Sequence, residues 1–334
     1  MIYLTTLQRE ISLEQKIAEG GQWEIYSTNH EEYMVKVFKP AFPPTDFSAT
    51  ATDAALRYRL FSALGLHWEK ELPCLPCEAL DGIVHPEVGT TTAYLMKRAR
   101  GAQFELNPAF YNTSILNRLL IAKSLAHAIT YLHGLGIVLA DFTPENFWLE
   151  VDSAGNALMQ VLGMDGGGFH GVAIGYGLVD IPPNVLPQTK YRSPELTKAK
   201  RWDDLWQQAP LRRQPDLWAL AVMIYQILVD SEGPFPCRRE QDDQEGKYYR
   251  NGDASLLLSE WPKPIQEATI EATQLTTVFE LFKSVFKGEK RANHENPARP
   301  TASDWRTALD QEIRRRTWDV RLEQKDGGDS RVLN

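Results

Sequence analysis

The sequence predicts an α+β fold in two lobes, a small, mainly β amino-terminal lobe followed by a larger, mainly α carboxy-terminal lobe. Three observations predict it. Residues 23–27, 33–38 and 91–96 are short runs rich in aromatic and β-branched side chains, separated by turn-formers, as strands are. From about residue 110 the period lengthens: Leu116, Leu119, Leu120, Ala126, Ile129 and Leu132 recur near 3.6 residues, the spacing of a helix with a buried face. Between the two regimes, residues 147–151 and 157–164 flank Asp152-Ser153-Ala154-Gly155-Asn156, a turn-rich loop suited to a β-hairpin.

In chain order, the strand over 33–38 is stopped by Pro40-Ala41-Phe42-Pro43-Pro44, and one helix is expected near 49–64. A second apolar helix covers 217–229. The charged, Gly-containing insertion 230–264 reads as a solvated loop, and Arg314-Arg315-Arg316 as one face of a terminal helix. The expected division is 1–96 for the first lobe, 97–312 for the second and 313–334 for a tail, with about 11–312 forming one domain. A small ligand is expected in the cleft between the lobes.

Composition narrows the function classes. With 334 residues, 43% hydrophobic and 24% charged, the chain can bury a sizeable core. Its 36 basic and 44 acidic residues leave a formal charge of -8, which gives no global attraction for nucleic acid or an anionic membrane. Neither is expected as a partner. No run reaches the roughly 18–20 apolar residues of a membrane span, and the opening 1–15 lacks a signal-peptide core, so a cytoplasmic location is expected. Cys74, Cys77 and Cys237 are odd in number, which argues against a disulfide framework. The Cys74-Leu75-Pro76-Cys77 pair lacks the second pair or histidines of a zinc site and reads as loop thiols.

Chemistry concentrates further along. Asp141-Phe142-Thr143-Pro144-Glu145-Asn146 follows a helix and runs straight into the first hairpin strand. Met164-Asp165-Gly166-Gly167 puts a second acid at the end of the returning strand. Then come Thr189-Lys190-Tyr191-Arg192-Ser193-Pro194-Glu195, Asp216-Leu217-Trp218-Ala219-Leu220-Ala221 and Pro297-Ala298-Arg299-Pro300-Thr301-Ala302. In this order and spacing the elements resemble those of the protein kinases, so the resemblance implies a protein-kinase-like bilobal fold.

The resemblance implies roles. Asp141 accepts the substrate hydroxyl's proton, while Asn146 and Asp165 hold magnesium. Lys36, in Met34-Val35-Lys36-Val37, matches the lysine that grips the α- and β-phosphates. Residues 17–26 take the place of the Gly-rich loop, so Ala18, Gly20, Gly21 and Ile25 are expected against the nucleotide, with Met96, Lys97, Arg98 and Ala99 as the adenine-contacting hinge. Glu195 is expected to pair with Arg299, and Asp216 to sit beneath the Asp141 loop; both are structural. ATP and Mg²⁺ are the implied cofactors, and Ser or Thr of a protein substrate the implied acceptor.

The chain departs from the family pattern at several positions. Of the loop glycines only the middle one, Gly20, aligns; Ala18 stands at the first and Trp23 at the third, where a Trp narrows or reshapes the approach to the phosphates. The expected helix over 49–64 has no Glu to pair with Lys36, and Asp53 is its only acid. Leu139-Ala140 replaces His-Arg before Asp141, Thr143 replaces a catalytic-loop Lys, and Gly166 replaces the Phe that follows the magnesium Asp.

Residues 94–101, 121–128 and 132–138 resemble a bacterial subgroup of these kinases, found beside tellurite-resistance-type genes or fused to helix-hairpin-helix segments. The similarity spans roughly 17–309. It implies a stress or signalling kinase working with a phosphatase or a metal-ion-binding partner protein encoded nearby. The subgroup shows Gly before the catalytic Asp and a further acid near the magnesium Asp, where this chain has Ala140 and Gly163. Two other readings stay open: a pseudokinase that binds nucleotide or scaffolds without transfer, and a small-molecule kinase. The Pro-Glu and Arg-Pro-Thr elements separate the first group from the last.

Overall fold

Strand Tyr33–Phe38 alternates its side chains between two apolar surfaces, and the rest of the amino-terminal sheet is built around it. In the computed structural model, which describes residues 2–4, 10–19, 23–38, 57, 60, 76–85, 89–164, 166–174, 177–199, 201–229, 234, 275–286 and 299–326, this strand is β4. It belongs to a six-stranded antiparallel sheet of β1 (Ile2–Leu4), β2 (Glu10–Glu19), β3 (Trp23–Thr28), β4, β5 (Pro76–His85) and β6 (Gly89–Lys97). The spatial order is β1-β2-β3-β4-β6-β5.

Register decides which residue faces where. Val35 and Val37 pack with Ile11, Ala93 and Leu95 on one face. Lys36 is out of phase with them and lies opposite Ile25 on β3 and Tyr94 on β6. Tyr94 and Trp23 belong to the large apolar cluster that continues into the helical part of the chain. Lys36 therefore sits on the sheet face turned toward the helices.

The three-residue β1, together with β2 and β5, carries no clear signal in the sequence. In β2 only Ile11 is buried, so alternation is lost. In β5 the register shifts twice, between Pro76 and Glu78 and between Leu80 and Ile83, which breaks the period. Cys77 lies within β5 and not in the expected loop; Cys74 and Cys237 fall outside the described residues.

The helical part is centred on α1 (Ile115–Gly134), where Ser114 Oγ caps the first turn by accepting the Asn117 N–H at 3.2 Å. Its buried side includes Leu119, Leu125, Ile129 and Leu132. After α2 (Pro194–Ala199) and α3 (Trp202–Trp206), helix α4 (Gln214–Leu228) is buried from Pro215 to Leu228, as a helix apolar all round must be. Helix α5 (Thr276–Phe286) and the long α6 (Ala302–Asp326) pack against this core through Phe282, Trp305 and Leu309. At the start of α6 Thr301 and Asp304 cap each other: the Thr301 N–H donates to Asp304 Oδ2 at 2.8 Å and the Asp304 N–H to Thr301 Oγ1 at 3.2 Å.

Two short sheets lie between. β7 (Ala102–Gln103) joins the β9 (Phe147–Val151) and β10 (Ala157–Val161) hairpin, and β8 (Ile137–Val138) joins the β11 (Gly168–Ile174) and β12 (Gly177–Ile181) hairpin. The turn of the first hairpin is built on Asp152, whose Oδ1 accepts the Ala154 and Asn156 amides at 2.9 and 2.8 Å.

Several expectations change. β10 stops at Val161: the Leu162 N–H still reaches the Asn146 carbonyl at 2.9 Å, but Asn146 belongs to the 3-10 turn Pro144–Asn146, where the partner strand has ended. The expected tail boundary at 313 falls inside α6, where Ile313 still packs on the core. Arg314, Arg315 and Arg316 do not share one face of that helix, since successive residues point about 100° apart; Arg314 pairs with Asp310 and Arg315 with Glu312. Of the helix expected over 49–64 the described residues are Arg57 and Leu60, both helical, and of the insertion 230–264 only Pro234. Among the described residues no helix is long and apolar enough to cross a membrane.

Candidate active site

The loop from Leu139 to Asn146 is held from beneath by a buried carboxylate. Asp216, 2% exposed at the start of α4, accepts the Leu139 amide on Oδ2 at 2.7 Å and the Ala140 amide on Oδ1 at 2.9 Å. The His133 ring nitrogen Nε2 lies 3.0 Å from the same Oδ2. These bonds fix Ala140 at φ 66°, the only left-handed non-glycine among the described residues. The left-handed step turns the chain so that Asp141, half-buried, follows the buried Leu139-Ala140 pair.

Pro144–Asn146 forms a 3-10 turn in which the Asn146 N–H donates to the Thr143 carbonyl at 3.0 Å. The turn brings Asn146 back onto Asp141: Asn146 Nδ2 donates to Asp141 Oδ2 and to the Asp141 carbonyl, both at 2.9 Å. A Cβ at Gly163 would lie 2.2 Å from Asn146 Cγ and Oδ1. The absence of an acid at 163 therefore has a steric reason, because any side chain there would displace Asn146.

Asp165 itself lies outside the described residues. Its neighbours are fixed: the Gly167 N–H donates to the Met164 carbonyl at 3.1 Å, and Met164 is buried. A Cβ at Gly166 would come within 2.3 Å of the Val185 side chain, so Val185 fills the space that an aromatic residue at 166 would need. With the Asn146 amide nitrogen committed to Asp141, the oxygen Oδ1 is the atom it can offer a cation, and oxygen donors suit magnesium. Among the described residues no group of three His, Cys, Asp or Glu is placed to hold a metal. A magnesium ion would rely on Asn146 together with Asp165.

The remaining expected residues lie on the sheet and at its end. Lys36 places Nζ 4.7 Å from the centre of the Trp23 ring, a cation–π contact. Trp23 is 6% exposed and meets Tyr94 edge-on, with ring centroids 5.5 Å apart. Trp23 thus lies over the Lys36 ammonium. Ala18 on β2 is exposed and pairs with Ile25 on β3, while Gly20 and Gly21 fall outside the described residues, as does Asp53. The apolar cluster that holds Trp23 and Tyr94 runs on through Leu139, Phe142, Phe147 and Met164, the residues that flank Asp141 and Asp165.

Met96 and Ala99 are buried, Lys97 is partly buried and Arg98 exposed. The Arg98 N–H donates to the Glu32 carbonyl at 2.8 Å. Sequence reasoning missed Gln160, which is fully buried and pairs with the Arg100 backbone in both directions, accepting at 3.0 Å and donating at 2.6 Å. It ties the segment after β6 to the β9–β10 hairpin. The available signal was a single amide inside the apolar run Met159-Gln160-Val161.

Further along, Glu195 on α2 meets Arg299 in a two-pronged ion pair with contacts of 2.5 and 2.8 Å, both side chains buried. Burial is the largest influence on Glu195 and pushes its carboxyl up. The Arg299 charge and hydrogen bonds, with bonds from Ser193 and its own backbone, outweigh it and hold the carboxyl below its ordinary value. No protein-family model matches the chain, and no curated protein matches it.

Proposed function

We propose that the chain is an ATP- and Mg²⁺-dependent protein kinase of bilobal, protein-kinase-like fold that transfers the γ-phosphoryl group to Ser or Thr of a protein substrate. The observation that carries this reading is the Asp141–Asn146 pair, a carboxylate and an amide locked together at 2.9 Å on a loop buttressed by Asp216. In phosphoryl transfer the protein chiefly positions groups and neutralises charge. Asp141 would take the acceptor hydroxyl's proton, Asn146 and Asp165 would hold the magnesium, and Lys36 would bind the phosphates. Bound magnesium would supply charge neutralisation on the phosphate oxygens. Met96 to Ala99 would contact the adenine.

One observation favours the second reading, a nucleotide-binding or scaffolding pseudokinase: Lys36 lies under the Trp23 ring and not in open space. Incubation with γ-labelled ATP, Mg²⁺ and a generic protein substrate separates the two. The kinase reading expects transfer that falls about 10²- to 10⁴-fold in Asp141→Asn, the usual worth of a positioned proton acceptor. Transfer unchanged in that variant removes Asp141 from the mechanism, and nucleotide binding without any transfer selects the pseudokinase.

A further inference from the structure

Arg57 is the residue whose surroundings the reading above does not use. It is helical, 2% exposed, and lies among the largest fully buried side chains described. Its Nη1 donates to the Gly167 carbonyl and its Nη2 to the Pro182 carbonyl, the latter at 2.6 Å. Gly167 immediately precedes β11 and Pro182 immediately follows β12. One guanidinium therefore closes the base of the β11–β12 hairpin from a segment more than a hundred residues away, the two separations being 110 and 125. A planar fork of donors can serve two carbonyls at once, which the single ammonium of lysine does poorly. A buried guanidinium is tolerated only when such donors are satisfied.

The same base is pinned from the helical side. The Asn184 N–H donates to the Gly166 carbonyl at 3.1 Å, and Trp202 Nε1 on α3 donates to the Val185 carbonyl at 2.6 Å. Among the described residues, Arg57 reaches this base from the stretch between β4 and β5.

We infer that Arg57 is a positioning residue: by clamping Gly167 and Pro182 it couples the stretch between β4 and β5 to the hairpin base and so fixes the backbone at Gly166 and Gly167, the residues that follow Asp165 in the sequence. This rests on the kinase reading for its consequence, the binding of Mg²⁺, but not for the clamp itself.

Two readouts on the full chain test it, with Arg57→Lys as the mild variant and Arg57→Met as the severe one. Hydrogen exchange reads the clamp without any nucleotide. The amides of His170 and Asn184 should lose protection about tenfold or more, the loss that one charge-assisted hydrogen bond implies, while amides inside α4 keep theirs. Equal protection at His170 and Asn184 in folded Arg57→Lys overturns the inference. The second readout is the Mg²⁺ concentration giving half of the thermal stabilisation by ATP. It should rise about tenfold in Arg57→Lys while stabilisation by ATP without Mg²⁺ stays the same. Lost protection with an unchanged Mg²⁺ requirement limits Arg57 to a structural part and contradicts the positioning role. A wild-type chain that ATP does not stabilise at any Mg²⁺ concentration sinks the kinase reading and the Mg²⁺ role, leaving the clamp to be judged by exchange alone.

Discussion

Asp216 holds Ala140 in a left-handed backbone conformation: the Ala140 N–H meets Asp216 Oδ1 at 2.9 Å while φ stands at 66°. For an L-residue that conformation costs roughly 1–2 kcal/mol, so the loop keeps its shape only because the buried carboxylate compensates. Asp216→Ala would orphan the Leu139 and Ala140 amides, each a penalty of about 1–3 kcal/mol. Denaturant unfolding should show a loss of roughly 2–5 kcal/mol, and a loss below about 1 kcal/mol would mean the loop finds other acceptors.

The complementary change is Ala140→Gly. It removes the left-handed penalty but adds about 0.5–1 kcal/mol of chain entropy to the unfolded state. The net expectation is a stability gain of at most about 1.5 kcal/mol, read as a raised denaturation midpoint with an unchanged slope. A destabilised Ala140→Gly would contradict the strain argument.

Glu195 and Arg299 give a pH dependence with a fixed sign. The folded carboxyl titrates below its ordinary value of 4.5, so the stabilisation is complete above that value and disappears as pH falls through the depressed folded one. The stability advantage of the wild type over Glu195→Gln, read by denaturant unfolding, should therefore be full at neutral pH and shrink as pH falls through the depressed value, and an advantage independent of pH would contradict the ion-pair account. Removing Arg299 alone leaves a buried, unpaired carboxylate, and Arg299→Leu should cost about 3–5 kcal/mol at neutral pH.

Gly163→Ala tests the packing at the candidate metal site. The added methyl would sit 2.2 Å from the Asn146 amide, so Asn146 must leave Asp141. Overpacking of this kind costs about 1–3 kcal/mol, and the Mg²⁺ requirement for ATP binding should rise. An unchanged Mg²⁺ requirement would separate Asn146 from the metal.

Trp23 governs access to Lys36. Trp23→Leu keeps an apolar side chain in the cluster but removes the π face, a contact worth about 0.5–2 kcal/mol. ATP affinity should then tighten by roughly two- to thirtyfold, measured by calorimetry. Weaker binding would make Trp23 a nucleotide contact instead of a cover.

What was legible in the sequence was local or periodic. Asp141 and Asn146 stand five residues apart with the short 3-10 turn Pro144–Asn146 folding one back onto the other, so their contact is local. Lys36 could be placed on one face of β4 because its neighbours Val35 and Val37 take the other. Arg57 and Gln160 were not legible, since both bind backbone carbonyls or amides, which every residue type carries alike. β2 escaped notice because its side chains are exposed, and β5 because its bulges break the alternation. The Trp23–Lys36 contact combines the two cases: a Trp close to the Gly20-Gly21 pair was visible, but its ring resting on the ammonium depends on the tertiary packing against Tyr94.

The central claim is that Lys36, Asp141 and Asp165 serve one metal-bound triphosphate, and thermal unfolding in the presence of ATP and Mg²⁺ tests it most directly. At a hundredfold excess over Kd, ligand should stabilise the wild type by about 2.7 kcal/mol. Lys36→Met and Asp165→Asn should each abolish most of that gain while unfolding normally without nucleotide. A wild-type chain that ATP and Mg²⁺ leave unshifted, or variants stabilised as fully as the wild type, would contradict the account.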